Sequence, residues 1–164
     1  MAGSLLLSEA VSVIGLIAGV SGFVLGVLNY LRDRHKIVVT LQWDLAATLG
    51  SGYDASRLWG LITVTNVGRR ASYVSHVALR LPKGYDHSQL LVMGGIVGKK
   101  LTEGDPSEVF IVDQMGMEQY ARDWQKIVAQ VRDSTGNVWF SKKLNPAEIP
   151  SWGIARTKEG RGQV

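Results

Sequence analysis

Side chains that commonly perform acid–base or metal chemistry are few and scattered in this chain. It contains three histidines and no cysteine, so thiol nucleophiles and cysteine-based metal sites are excluded. His35, His76 and His87 do not have the spacing of metal ligands on one helix face, and no serine lies in a Gly-x-Ser-x-Gly turn. We predict that the protein is not an enzyme and uses neither a metal nor a cofactor.

Two segments look like chemical motifs but fit loops and turns better. The glycines at 94–98 precede two lysines, yet a phosphate-binding loop has four residues between its glycines and a Ser or Thr after the lysine. Asp133 to Gly136 has one residue more than the catalytic triplet of aspartic proteases. We predict a short strand over 90–93, a flexible loop over 94–100 and a hairpin turn at 133–136.

The chain has five tryptophans. Because they are large and mostly apolar, we expect most of them in the core or against the membrane, although an exposed pair could bind a sugar or a nucleobase. They are Trp43, Trp59, Trp124, Trp139 and Trp152.

The elements that must position these residues begin with a membrane anchor. Residues 10–31 contain no charged side chain, and at about 1.5 Å per residue they form a helix of roughly 33 Å, enough to cross a hydrocarbon core of about 30 Å. The ten residues at the start contain no Lys or Arg, unlike a secretory signal peptide. We therefore predict a short N-terminal segment over 1–9 and one retained transmembrane helix over 10–31.

The basic residues predict the orientation of this anchor. All 18 Lys and Arg residues follow residue 31, which places the N-terminus outside and the C-terminal domain in the cytoplasm. Residues 32–36 are a basic juxtamembrane stop, in which Arg32, Arg34 and Lys36 are predicted to contact anionic lipid headgroups. The net charge of +4 is mild, and no nucleic-acid partner is expected.

Small residues form a stripe along the predicted helix. Their spacing alternates between four and three residues, which keeps them on one face of a helix that winds left-handed around its neighbours. Glycine and serine at such positions let helix backbones approach closely. We predict that this stripe drives self-association into a homo-oligomer; its members in the span are Ser12, Gly15, Gly19, Gly22 and Gly26.

After the anchor the hydrophobic period changes to two, which predicts a mainly β domain over 37–145. In the third strand, alternation places Tyr73, Ser75, Val77, Leu79 and Leu81 on one side and His76 on the solvent side. Residues 66–70 are expected to join antiparallel neighbours, with Asn66 or Gly68 at positive φ. The predicted strands are 37–43, 58–66, 72–81, 108–112, 126–132 and 137–144.

One short amphipathic helix is predicted over 113–125, because Met117, Tyr120, Ala121 and Trp124 recur at helical spacing. Residues 146–164 contain prolines, glycines and basic residues and are predicted to be a flexible basic tail. Six or seven short strands predict a small antiparallel β-sandwich, immunoglobulin-like in size, and a small β-barrel is the alternative.

The order of these motifs resembles that of small uncharacterised bacterial and phage membrane-anchored β-sandwich proteins. The resemblance rests on the charge-free anchor, the basic stop, Asn66-x-Gly68-Arg69-Arg70, the 101–105 turn and the hairpin over 132–139. It implies a fold and a membrane topology without an activity. Bacterial antiviral effectors, which join several membrane helices to a small β-barrel, are a more distant likeness.

These expectations lead to one functional hypothesis and one alternative. The first is a non-enzymatic single-pass membrane protein that self-associates through the small-residue stripe and presents its cytoplasmic β domain to a protein partner, as a scaffold does. The alternative is a ligand-responsive membrane effector, for example in antiviral defence, whose β domain senses a small molecule and whose clustered helices perturb the membrane.

Overall fold

The computed structural model describes residues 2–48 and 50–153, and of these it places the side chains other than those of residues 2–10, 32, 93, 96 and 97. Within these residues one long helix precedes seven strands. The elements are α1 Ala2–Arg32, β1 Ile37–Ala46, β2 Leu58–Asn66, β3 Ser72–Arg80, β4 Gln89–Leu101, β5 Glu108–Asp113, a first 3₁₀ helix Met117–Lys126, β6 Val128–Asp133, β7 Val138–Phe140 and a second 3₁₀ helix Ser151–Gly153.

The strands form two antiparallel sheets, which confirms the mainly β prediction. One sheet has the order β1-β2-β5 and the other the order β4-β3-β6-β7. The β6–β7 pair is the predicted hairpin. Strands β4 and β5 are each at the edge of their sheet, and they contact each other along one side of the domain.

The two sheets share one hydrophobic core. In β2 every second residue is buried, so Ile62 and Val64 face inward while their neighbours are half-buried. Residues from both sheets meet there, and each such side chain contributes about 1.5–3 kcal/mol on burial. The contributors include Ile37, Val39, Leu41, Phe110 and Val112 from the first sheet and Val74, Val77, Leu79, Leu101, Ala129 and Val131 from the second.

The amphipathic helix has the predicted inner face but a different type and start. Met117, Tyr120, Ala121 and Trp124 are buried as predicted. The helix is 3₁₀, begins at Met117, and has non-helical dihedral angles at Asp123. Because 3₁₀ turns are tighter than α turns, the short segment can end directly in β6 while it covers one end of the core.

The predicted face of β3 is wrong in its first half. Val74 is fully buried, whereas Tyr73 is 46% exposed. The strand register shifts between Val74 and His76 against both neighbouring strands, and such a bulge moves the following side chains to the other face. Val77, Leu79 and Leu81 are buried on the predicted side, Ala78 between them is buried as well, and His76 is half-buried.

The predicted loop over 94–100 is part of a strand. Strand β4 continues to Leu101, with Lys99 opposite Val74 and Lys100 opposite Tyr73. Gly94 and Gly98 have φ of 72° and 56°, which allows the irregular register without breaking the strand. A well-formed partner strand therefore overrides the loop preference of the glycines.

The connection over 66–70 crosses between the two sheets and does not join neighbours in one sheet. It leads from β2 in the three-stranded sheet to β3 in the four-stranded sheet. Neither Asn66 nor Gly68 has a positive φ, so this expectation is also wrong. Gly68 is needed because the segment after α1 approaches it closely, and Asn66 holds the connection through its side-chain hydrogen bonds.

The predicted domain boundary at 145 is followed by more packed chain. Pro150 and Trp152 are buried, and Trp152 packs edge to face against Trp43, with ring centroids 5.4 Å apart. Asp44 also accepts hydrogen bonds from the N–H and hydroxyl of Ser151 at 2.7 Å. Residues 154–164 of the predicted tail lie outside the described residues.

Candidate functional site: the anchor helix and its junction with the β domain

Helix α1 contains one segment that is long and apolar enough to cross a membrane. Val11–Leu31 has a mean hydropathy of 2.4, and none of it is buried against the β domain. Its 21 residues span roughly 32 Å, which matches a hydrocarbon core of about 30 Å. An apolar helix that is exposed all round requires an apolar environment from outside its own chain.

The four glycines of the small-residue stripe have no close neighbour outside α1 among the described residues. A Cβ atom added at Gly15, Gly19, Gly22 or Gly26 would meet nothing within 4 Å outside the helix backbone. None of the four has a positive φ. Since glycine inside a helix costs roughly 0.5–1 kcal/mol relative to alanine, the helix carries this cost four times, and no contact among the described residues offsets it. Ser12 continues the stripe on an exposed turn.

The end of α1 is fixed to the β2–β3 connection through the backbone. The N–H groups of Val67 and Gly68 donate to the Lys36 carbonyl at 2.9 and 3.1 Å. A Cβ on Gly68 would collide with the Arg34 carbonyl oxygen and the Lys36 nitrogen. Glycine is therefore required here by close approach of two backbone segments.

A buried asparagine shapes this connection. Asn66 is 5% exposed, and its Nδ2 donates to the carbonyls of Arg70 and Leu101, both at 2.9 Å. Its Oδ1 accepts from the Gly68 N–H at 3.0 Å. Three of the four hydrogen bonds that an amide side chain can make are thereby formed, and the loop is held in the shape that receives α1.

Two side-chain contacts complete the junction. Arg70 donates through Nε and Nη2 to Asp33 Oδ2 at 3.0 and 2.8 Å, and this hydrogen bonding holds the pKa of the Asp33 carboxyl below its usual value. His35 Nδ1 lies 3.2 Å from Ser72 Oγ. The helix and the domain are thus joined by a short segment that these hydrogen bonds hold against the domain.

The predicted headgroup residues have different surroundings. Arg34 is exposed and its guanidinium lies 5.5 Å from the Tyr30 ring centroid. The exposed Lys36 belongs to the junction through its carbonyl. Arg32 is the last residue of α1, and its side chain is not among those described.

Elsewhere in the domain, the buried Asp133 and the tryptophans belong to the packed structure. Asp133 is buried in the β6–β7 turn, where its carboxylate accepts hydrogen bonds from Thr135 and Asn137. The five tryptophans are buried or half-buried, as expected for core residues. Within residues 2–48 and 50–153, no three His, Cys, Asp or Glu residues lie together in a group that could hold a metal ion.

A groove runs along the side of the domain where the edge strands β4 and β5 meet. Its volume is about 1390 Å³. Leu91, Val109 and Met115 line it and are more than half exposed, above the buried Phe110 and Tyr120. It is the largest of the depressions described on this domain, and its lining is mainly apolar.

Sequence reasoning found the stripe and the basic stop but missed the receiving side of the junction. For Asn66, Gly68 and Arg70 the sequence predicts only a connection between strands. The sequence contains one signal for this junction. Asp33 is the only acidic residue in the basic segment over 32–36, and it could pair with a basic residue of the domain. No family model matches the chain, and a search of curated proteins finds no match to it.

Proposed function

We propose that this is a single-pass membrane protein that self-associates through Ser12, Gly15, Gly19, Gly22 and Gly26 and presents its β domain to a protein partner. The observation that carries the proposal is the glycine face of α1, which no contact within the described chain explains. A second copy of the same helix would explain it, because lipid tails gain nothing from glycine, whereas a facing helix gains close packing.

The regular alternation of four-residue and three-residue steps supports packing against an equivalent helix. Such a spacing keeps the small residues on the seam of a left-handed pair or bundle over several turns. The opposite side of the helix carries bulky apolar residues suited to lipid, among them Ile17, Val24 and Leu28.

The junction supports a scaffolding role. Because Gly68, Asn66 and the Asp33–Arg70 pair fix the end of α1 to the domain, association of helices would also set how the domains face each other. Holding domains on one membrane patch raises their effective concentration to roughly millimolar, so weak contacts to a partner become sufficient.

The charge distribution supports a cytoplasmic domain. Arg32, Arg34 and Lys36 follow the span directly, and the ten residues at the start contain only Glu9 as a charged side chain. A positive flank on the C-terminal side is the usual mark of the cytoplasmic side.

We also propose that the β domain is an immunoglobulin-like sandwich. In a constant-type immunoglobulin domain, strands one, two, four and five form one sheet and strands three, six and seven the other. Here six of the seven strands have that partition, and only β4 differs, since it pairs with β3. The difference is confined to an edge strand, which supports the assignment to this class of fold.

Self-association is tested by the mass of the full chain in mild detergent. We expect a defined oligomer for the natural sequence and a monomer for Gly19→Leu combined with Gly22→Leu, because two bulky side chains would separate the helices. The matched control is Ser21→Leu with Val24→Leu, which adds bulk at positions roughly 130° and 170° from the middle of the stripe. An oligomer of unchanged size in the glycine variant, or equal loss in the control, would show that the stripe is not the interface.

The ligand-responsive effector is the second candidate, and the groove between β4 and β5 favours it. Its volume of about 1390 Å³ gives room for a small molecule, since usual small-molecule sites measure about 300–1,000 Å³. Thermal unfolding of the full chain with a panel of cyclic and linear nucleotides separates the two candidates: a stabilisation abolished by Val109→Glu supports the effector.

A further inference from the structure

We propose that a cleft between the end of α1 and the β6–β7 hairpin binds the phosphate of an anionic phospholipid headgroup. The inference rests on the proposed membrane residence and adds a specific ligand to it. The cleft has a volume of about 410 Å³. Its wall includes residues of the anchor, the junction segment, the β2–β3 connection and β7, namely Tyr30, Asp33, Arg34, His35, Arg70 and Trp139.

The cleft has one positive charge in excess. Arg70 is paired with Asp33, since two of its nitrogens donate to one carboxylate oxygen. Arg34 has no carboxylate oxygen within 4.0 Å among the described residues; its guanidinium lies beside the Tyr30 ring. A lipid phosphodiester carries one negative charge, so it would neutralise this excess and accept hydrogen bonds from the guanidinium fork.

Further donors surround the same space. The Asp33 contact uses Nε and Nη2 of Arg70, and the N–H groups of its Nη1 have no partner in the described part of the chain. The contact of His35 Nδ1 with Ser72 holds the imidazole ring in place and leaves Nε2 for another bond. Trp139 adds an aromatic ring to the wall of the same cleft.

The position of the cleft relative to the bilayer favours a lipid as the source of the phosphate. The apolar span ends at Leu31, so Arg34 lies roughly 4–5 Å beyond the hydrocarbon boundary along the helix. The headgroup layer is about 5–7 Å thick on each side of the bilayer. A free phosphate has the same chemistry, but a lipid phosphate is already held at this height at high local concentration.

The test is native mass spectrometry of the full chain in mild detergent, titrated with phosphatidylglycerol or phosphatidylcholine. We expect saturable retention of one phosphatidylglycerol per protomer and weaker retention of phosphatidylcholine. Arg34→Gln should lower the affinity for phosphatidylglycerol about tenfold. The matched control is Arg69→Gln, an exposed arginine of the same junction that does not line the cleft; it removes the same charge and should change the affinity less than twofold.

Three results would overturn the proposal. Equal weakening by Arg34→Gln and Arg69→Gln would indicate diffuse attraction to anionic lipid. Equal retention of both lipids would show that the cleft does not select a net negative charge. Displacement of phosphatidylglycerol by inorganic phosphate at equal concentration would assign the cleft to the free ion.

The same spectra keep this inference separate from the proposed function. An oligomer that retains no phosphatidylglycerol removes the lipid site alone, and a monomer that retains it removes self-association alone. Release of the protein from cell membranes by alkaline carbonate would overturn membrane residence, and the lipid site with it. Unchanged thermal unfolding of Arg34→Gln would establish that its loss of lipid is not a loss of fold.

Discussion

Asp133 illustrates how single residues of this domain are used. The sequence allowed a turn to be predicted at 133–136 because Asp and Gly favour turns, and the turn is present. The burial of the carboxylate could not be predicted, since it depends on how the β6–β7 hairpin packs. Asp133 is 3% exposed and accepts from the N–H groups of Thr135 and Asn137, both at 2.9 Å, and from their side chains.

The Asp133 carboxylate should make the protein sensitive to acid. Burial alone would raise its pKa, but the hydrogen bonds from Thr135 and Asn137 outweigh burial and lower the pKa below the ordinary value of 3.8. A lowered pKa in the folded state stabilises the fold above the pKa of the unfolded state, about 3.9, and this stability is lost as pH falls through the folded value.

We expect Asp133→Asn to reduce the free energy of unfolding by about 2 kcal/mol at pH 7, because charge-assisted hydrogen bonds are replaced by weaker ones. The loss should shrink as pH falls from 5 to 3. Denaturant unfolding followed by tryptophan fluorescence measures both. Asp86→Asn, on an exposed loop, is the control and should stay within about 0.5 kcal/mol. A pH-independent difference would contradict the assigned role.

At the scale of elements, sequence patterns correctly predicted the features that depend on interactions between residues close in sequence. The inner face of the 3₁₀ helix and the limits of β2 follow from spacing alone. The continuation of β4 through Gly94 and Gly98 does not, because the pairing partner β3 decides it. The junction was missed for the same reason, since Gly68 meets Arg34 and Lys36 only in the folded chain.

The junction yields a prediction for Gly68→Ala. The added methyl group would collide with two backbone atoms of the segment over 34–36, and neither can move without breaking the hydrogen bonds to Lys36. We expect a loss of about 2–3 kcal/mol, in the range of overpacking in well-packed regions, measured by denaturant unfolding in detergent. Val67→Ala, at the adjacent half-exposed position, should cost much less. Equal effects of the two substitutions would mean that close approach is not what requires glycine.

At the scale of the whole molecule, the anchor and the domain move as one body only if the short segment between them is rigid. Contacts of Asp33, His35 and Lys36 with the domain tie it at three separate points. Cross-links between residues of α1 should therefore identify the contacts between copies, with little effect from motion of the domain. The absence of native cysteine makes such contacts directly measurable.

Disulfide cross-linking in membranes should map the proposed interface. We expect Gly22→Cys to form a dimer on oxidation, because facing copies would bring this position close to its equivalent. Ile17→Cys, on the opposite side of the helix, should stay monomeric under the same conditions. Gel electrophoresis without reductant reads the outcome, and cross-linking of both positions to the same extent would indicate random encounters.

The edge strands β4 and β5 also affect how the domain could aggregate in the proposed arrangement. A free sheet edge is a template for aggregation through added strands, and the domain has two such edges on one side. In every copy β5 starts at the end of the domain next to the anchor, since Glu108 lies opposite Val64 near the end of β2. Copies held in one bilayer therefore present β5 in the same direction, and two β5 edges cannot pair with each other as an antiparallel ladder. The anchor would thus exclude antiparallel β5–β5 aggregation, and this restriction would be lost on release from the membrane.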